Sequence, residues 1–191
     1  MKVVAINGSA RADGNTAALL RRALEEIGRA GIETELIQLA GKDVRPCQAC
    51  YRCATLKNRR CGITDDAVND CIAAMDSADG ILLGSPTYFA DVTGHMKSLI
   101  DRAGTVAGVN GGMLRRKVGA AVVAVRRGGA IHAFDTINHL FLISQMIIAG
   151  SSYWNVGIGR GKGEVEGDEE GMDTMKTLGE NVAWLLPRVR G

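Results

Sequence analysis

Aromatic side chains are scarce in this chain: three phenylalanines, three tyrosines and two tryptophans in 191 residues, with only three prolines. Two aromatics side by side therefore carry information. Charge of one sign is also lacking. Lys and Arg number 23 against 21 Asp and Glu, a formal net charge of +2. That leaves no electrostatic case for a nucleic acid or a membrane surface as partner. No apolar run approaches the roughly 20 residues that cross a bilayer. The N-terminus has one Lys and a short apolar stretch and then turns polar, so no secretory signal is expected and the cytoplasm is the expected location. Two nucleotide signatures are missing as well. Asn15 follows Gly14 where a Walker A loop needs Lys, and Ala10 and Asp13 stand where G-x-G-x-x-G needs glycine. A magnesium-bound triphosphate and a pyrophosphate are thereby disfavoured.

What is present begins with residues 6–16, Ile-Asn-Gly-Ser-Ala-Arg-Ala-Asp-Gly-Asn-Thr. They follow the apolar run Val3-Val4-Ala5-Ile6 and precede a helical pattern through Leu19, Leu20, Ala23, Leu24 and Ile27. A buried strand, a polar loop and a helix N-terminus in that order form an anion site. Ser9, Arg11, Gly14, Asn15 and Thr16 supply hydroxyls, a guanidinium, an amide and free backbone N–H groups. These suit a phosphate monoester.

Further strands are expected at 33–39, 80–84, 118–125 and 153–158. Helices are expected at 65–78, 94–103, 131–149 and 168–189, with a loop at 105–112 and a mobile glycine-rich loop at 159–167. Five apolar runs alternating with five helices predict an α/β domain spanning 1–191. It has a doubly wound, five-stranded parallel sheet of order 2-1-3-4-5 with helices on both faces, and a cysteine-rich insertion at about 45–64.

In that order the loops after strands 1, 3 and 4 meet at one crevice. The second loop holds Pro86, Thr87, Tyr88 and Phe89, a rigid turn and two rings suited to a flat heterocycle. The third, Arg126, Arg127, Gly128 and Gly129, offers charge and unencumbered N–H groups. These would stabilise a ring that gains negative charge on reduction. One phosphate loop and two ring loops together point to FMN. No side chain is assigned a catalytic role, because the cofactor carries the chemistry.

Five cysteines occur, four of them as Cys47-x2-Cys50-x2-Cys53-x7-Cys61. Three thiolates at x2 spacing can wrap one corner of a cubane, and the longer gap lets Cys61 fold back onto it. A [4Fe–4S] cluster is the first reading; free or disulfide-linked thiols and structural zinc remain alternatives. Arg45, Arg52, Lys57, Arg59 and Arg60 around the motif are expected to lower its thiol pKa values. Cys71, on the apolar face of a helix, is expected in the core.

Gly8-Ser9-x-Arg11-x-x-Gly14-Asn15-Thr16 resembles the first loop of the NADPH-dependent FMN reductase-like group of the flavodoxin-like fold. Ser85-Pro86-Thr87-Tyr88-Phe89, followed by Lys97 and Asp101-Arg102, is similar to its second loop and helix. With the cysteine segment the chain resembles that group's iron–sulfur flavoprotein branch. The resemblance implies FMN in each subunit, phosphate contacts from Ser9, Arg11, Asn15 and Thr16, and ring contacts from residues 86–89. It also implies a cubane cluster and a homodimer or homotetramer. Asp101-Arg102 is read as structural. Three functions follow as expectations. The first is an FMN-dependent oxidoreductase taking hydride from NAD(P)H and reducing a small acceptor. The second is an electron carrier fed by ferredoxin through the cluster. The third is a non-catalytic redox-sensing module.

Overall fold

The computed structural model describes residues 1–190. The elements run β1 (Lys2–Asn7), α1 (Asn15–Arg29), β2 (Glu33–Gln38), α2 (Arg52–Leu56), α3 (Val68–Ser77), β3 (Gly80–Pro86), α4 (Gly94–Val109), β4 (Val118–Val125), α5 (Ala130–Ile143), β5 (Ile147–Ile148), β6 (Val156–Ile158) and α6 (Glu169–Arg190). A 3-10 turn, Glu164–Gly167, precedes α6. The sheet is parallel throughout in the order β2-β1-β3-β4-β5, with β6 also paired to β4. This is the order expected from the alternating pattern.

Side-chain alternation along the buried strands splits the interior in two. Val3, Ala5, Leu82, Ala120 and Val122 face Leu19, Leu20 and Ala23 of α1 and Leu178, Val182 and Leu186 of α6. Val4, Ile6, Ile81, Leu83, Ala121 and Val123 face Met75 of α3, Met96 and Leu99 of α4 and Ile137 and Phe141 of α5. Apolar surface on both sides is why β1, β3 and β4 read as continuous hydrophobic runs. Cys71 lies in the second core, 1% exposed, as expected.

Four expectations are corrected. The helix expected over 131–149 stops at Ile143. Gln145 takes φ +58°, the Gln145 N–H donates to Leu142 O (3.0 Å), and the Met146 N–H donates to Phe141 O (2.9 Å). This is a Schellman cap with Gln in place of the usual Gly, so no glycine marks the end. The fifth strand is therefore split. Ile147 and Ile148 pair with the start of β4, and Val156–Ile158 pair with its end. Between them the buried Asn155 side chain donates to Ala121 O at 2.9 Å, replacing a strand bond. Helix α4 continues through Gly104 to Val109. A Cβ at Gly104 would lie 2.9 Å from Leu140, so this glycine allows α4 and α5 to approach rather than ending a helix. The segment read as irregular contains the short α2.

Candidate functional site

The loops after β1, β3 and β4 converge. The Gly8 N–H donates to Gly84 O (2.8 Å), and the Thr93 hydroxyl, the N-cap of α4, donates to Gly8 O (2.7 Å). A Cβ on Gly8 would stand 2.9 Å from Met96, so only glycine lets the first loop lie this close to α4. Ser9 is buried, and its Oγ accepts from the Arg11 N–H (3.1 Å). Helix α1 starts behind Gly14 with no side-chain cap, which leaves its first N–H groups facing the loop.

A cleft of about 210 Å³ opens here, lined by Ser9, Arg11, Gly14, Asn15, Thr16, Pro86, Thr87, Tyr88, Ala124, Arg126, Gly159 and Arg160. Arg11, Arg126 and Arg160 line it, and Arg160 lies near the Glu164 carboxylate, which its N–H and charge help to hold. Three arginines and an uncapped helix start make the cleft suited to an anion. Thr87 Oγ1 is buried with no hydrogen-bond partner, an orphaned polar atom that a bound group would satisfy. The residues thus fit a phosphate-bearing flavin: Ser9, Arg11, Thr16 and the α1 N–H groups would hold its phosphate, and Pro86, Thr87, Tyr88 and Arg126 would flank its ring.

Not every sequence-selected residue lines the cleft. Phe89 is fully exposed at the tip of a tight hairpin, where the Tyr88 N–H donates to Asp91 O (2.8 Å) and the Asp91 N–H to Tyr88 O (3.1 Å). Both central residues are left-handed, Phe89 at φ +48° and Ala90 at +62°, an arrangement that turns the Phe89 ring away. Arg127 and Gly128 are exposed beyond the cleft. Gly129 (φ +88°) seats α5 against the hairpin, where a Cβ would meet Ala90 at 2.9 Å. The Asn15 side chain is taken up elsewhere. It donates to Gly161 O (2.9 Å) and accepts from the Gly163 N–H (2.9 Å). The expected mobile loop is thereby tied to α1, and this brings Gly159 and Arg160, which sequence reasoning missed, to the cleft. Their signal was available: they follow the strand beside β4, at the same end of the sheet.

Cys47, Cys50, Cys53 and Cys61 line a single cavity of about 190 Å³, together with Gly62, Ile63, Arg102, Thr105 and Val106. All are free thiols; Cys47 and Cys50 are exposed, Cys53 and Cys61 buried. Among the described residues no three His, Cys, Asp or Glu side chains gather as ligands to one metal ion would. The sulfurs line a cavity wall instead. The backbone here is unusual. Ala49 (φ +51°) and Tyr51 (φ +53°) are left-handed with Cys50 between them, and no acceptor takes the N–H groups of residues 47–52 among the described residues. Such alternation forms a concavity of N–H groups that receives an anion, iron–sulfur clusters included. The residues fit a multi-atom anionic cluster held by the four cysteines.

Cys61 is held from two sides. Asn69 of α3 accepts from its N–H (2.8 Å) and donates to its carbonyl (3.1 Å). Arg102 Nε donates to Cys61 Sγ at 3.2 Å. The Arg102 side chain is fully buried and forked onto Asp66. Burial works against the Asp66 charge, but Arg102 and the N–H groups of Arg45 and Val68 outweigh it and hold the carboxyl below its usual range. Asp101 instead pairs with Lys97 on the surface, so the adjacent residues 101 and 102 serve different places. For Cys53 the expectation that surface cations lower the thiol pKa is corrected. Arg45 pairs with Asp43 and Asp65, Arg59 with Asp76, and burial pushes the Cys53 thiol up.

A parallel doubly wound sheet of order 2-1-3-4-5, with the loops after its first, third and fourth strands converging at one cleft, defines a flavodoxin-like protein. The family model for NADPH-dependent FMN reductase matches residues 1–161. An iron–sulfur flavoprotein of Methanocaldococcus jannaschii is 40% identical over the full length of both chains. A second from the same organism is 32% identical, again over both full lengths. Among solved structures, RosB with a bound 8-demethyl-8-formylriboflavin-5'-phosphate intermediate superposes with a TM-score of 0.76 at 17% identity, covering 100% of this chain and 80% of that one. An archaeal flavodoxin superposes at 0.64 and 16% identity, covering 98% and 99%. The chain belongs to the NADPH-dependent FMN reductase family, in its iron–sulfur flavoprotein branch. No helix among the described residues is long and apolar enough to cross a membrane.

Proposed function

We propose that this protein is an electron-transfer flavoprotein that holds FMN in the cleft at the ends of β1, β3 and β4 and a [4Fe–4S] cluster on Cys47, Cys50, Cys53 and Cys61. It passes electrons to a small acceptor. The observation that carries this reading is the cysteine cavity itself, four free thiols around one hollow with unpaired backbone N–H groups beside it. Helix α4 links the two sites. Its N-cap Thr93 holds the first loop, and Arg102, nine residues on and roughly 13 Å along the axis, holds Cys61. Bound FMN would supply the exchange between paired and single electrons. The protein's part is to anchor the phosphate, flank the ring with Thr87 and Arg126, and hold the thiolates.

Visible spectra of protein purified without oxygen, before and after flavin extraction, test this. A broad iron–sulfur absorption beneath the flavin peaks is expected. A flavin spectrum alone, without iron, overturns the cluster assignment, and no flavin at all overturns the reading of the cleft. The family description supports a second reading, an NAD(P)H-driven reductase. Steady NAD(P)H oxidation by the anaerobic protein would favour it, whereas silence with NAD(P)H and rapid reduction by ferredoxin would favour the carrier. A homodimer or homotetramer completes the proposal, supported by the exposed apolar side chains Leu142 and Ile143 at the end of α5 and Tyr153 and Trp154 before β6. A monomer by light scattering would refute it.

A further inference from the structure

Arg102 has the largest fully buried side chain in the protein. All of its N–H capacity is spent: Nε on Cys61 Sγ (3.2 Å), Nη1 on Arg45 O (3.0 Å) and Asp66, Nη2 on Ile63 O (3.1 Å) and Asp66 Oδ1 (3.0 Å). Packing alone does not call for this. A buried ion pair is weak evidence of stability, and apolar side chains of similar volume commonly serve as well or better. What an apolar residue cannot do is aim a charged N–H at a sulfur. The other cations of the segment do not substitute for it. Arg45 and Arg59 are engaged by carboxylates at the surface, in contact with water, where their fields are screened.

We propose that Arg102 sets the reduction potential of the cysteine site by donating a buried, charge-assisted hydrogen bond to Cys61 Sγ, and that Asp66 limits the effect by partly neutralising the guanidinium. This inference rests on the cluster reading above. Reduction of a thiolate-ligated cluster by one electron adds negative charge that spreads over its sulfurs. A donor and a positive charge at one ligand sulfur favour the reduced form, so the potential rises. The buried setting strengthens the effect, because little water intervenes. Arg102 acts here through Cys61 as a positioning and tuning residue. Its fork onto Asp66 and the backbone fixes where Nε points.

The two partners make predictions of opposite sign, which a structural role would not. Replacing Arg102→Met removes the donor and the cation and leaves Asp66, so the cluster potential falls. Replacing Asp66→Asn keeps the guanidinium on the sulfur and removes the counter-charge, so the potential rises. The double variant Arg102→Met/Asp66→Asn leaves no unpaired buried charge and keeps a well-packed core, so it covers the case in which Arg102→Met fails to fold; it too is expected below wild type. The measurement is a dithionite titration of the anaerobically purified full-length protein. Cluster reduction is followed by electron paramagnetic resonance, with iron content measured on the same samples and the flavin midpoint read from its absorption as an internal reference. A cluster midpoint that falls in the Arg102→Met or double variant and rises in Asp66→Asn, with iron retained and the flavin midpoint unmoved, supports the proposal. Iron retained with midpoints unmoved, or moved in the same direction by both changes, overturns it. Wild-type protein without iron overturns the cluster reading, and this inference with it.

Discussion

The Thr87 hydroxyl is the sharpest local test of the cleft. Its Oγ1 is buried with no partner, while the Thr87 N–H is already engaged by Ala124 O at 2.8 Å. An unsatisfied buried hydroxyl costs about 1–3 kcal/mol. Thr87→Val keeps the shape and removes that penalty, so the flavin-free protein should gain about 1 kcal/mol. For a chain of this length that is a rise in Tm of about 2–4 °C. If a bound flavin satisfies Oγ1, the same change removes one hydrogen bond from the complex. With that bond's net worth of about 1 kcal/mol lost from the complex and about 1 kcal/mol gained by the free protein, binding weakens by about 2 kcal/mol, roughly thirtyfold in FMN affinity. The assay is differential scanning calorimetry of the flavin-free protein, paired with fluorescence titration of FMN. Opposite signs, with stability up and affinity down, are the expected signature. A stabilised protein with unchanged FMN affinity would refute the claim that the flavin reaches Thr87, and a destabilised one would refute the claim that the hydroxyl is unpaired.

Arg11→Ala removes one of the three arginines that line the cleft and should lower FMN affinity by roughly tenfold, the worth of one charge-assisted contact. Unchanged flavin content on purification would count against the phosphate assignment. Cys50→Ser should remove iron while FMN stays bound, because Cys50 lines the cysteine cavity and not the cleft; loss of both would mean that the segment is chiefly structural. Burial pushes the Cys71 thiol from the ordinary 9.0 up to about 11. Its raised folded value contributes stability that is fully present below about pH 9 and is lost as pH climbs towards 11, roughly 2–3 kcal/mol in all. Denaturant midpoints of Cys71→Ala should therefore decline less steeply than wild type across that interval, and parallel declines would refute the assignment.

The alternation of apolar runs and helices was enough to read the sheet order, because buried parallel strands need continuous hydrophobic sequence and β1, β3 and β4 all have it. The anion loop was legible for the same kind of reason: Gly8, Ser9, Arg11 and Gly14 follow a strand and open a helix, a purely local arrangement. The cysteine spacing, likewise local, marked the four thiols that share one cavity. Other features depended on contacts between distant residues. The end of α5 rests on a left-handed Gln145 whose carbonyl accepts from the Arg116 N–H (2.9 Å), 29 residues earlier in the chain. Gly104 reads as a breaker until Leu140 is found against it. Asn15, 146 residues from Gly161 in sequence, holds the glycine-rich loop and so brings Arg160 to the cleft. Arg102 was read only as structural, together with its neighbour Asp101. Helical geometry turns adjacent residues about 100° apart, sending Asp101 to solvent and Arg102 inward to Asp66 and Cys61. Sequence by itself determined most of the elements, the order of the sheet and which loops gather at the candidate site, because those depend on periodicity and spacing. Only the tertiary structure decided which charges are paired, which glycines are contacts and which cation reaches a sulfur, because those depend on what the folded chain brings within a few ångströms.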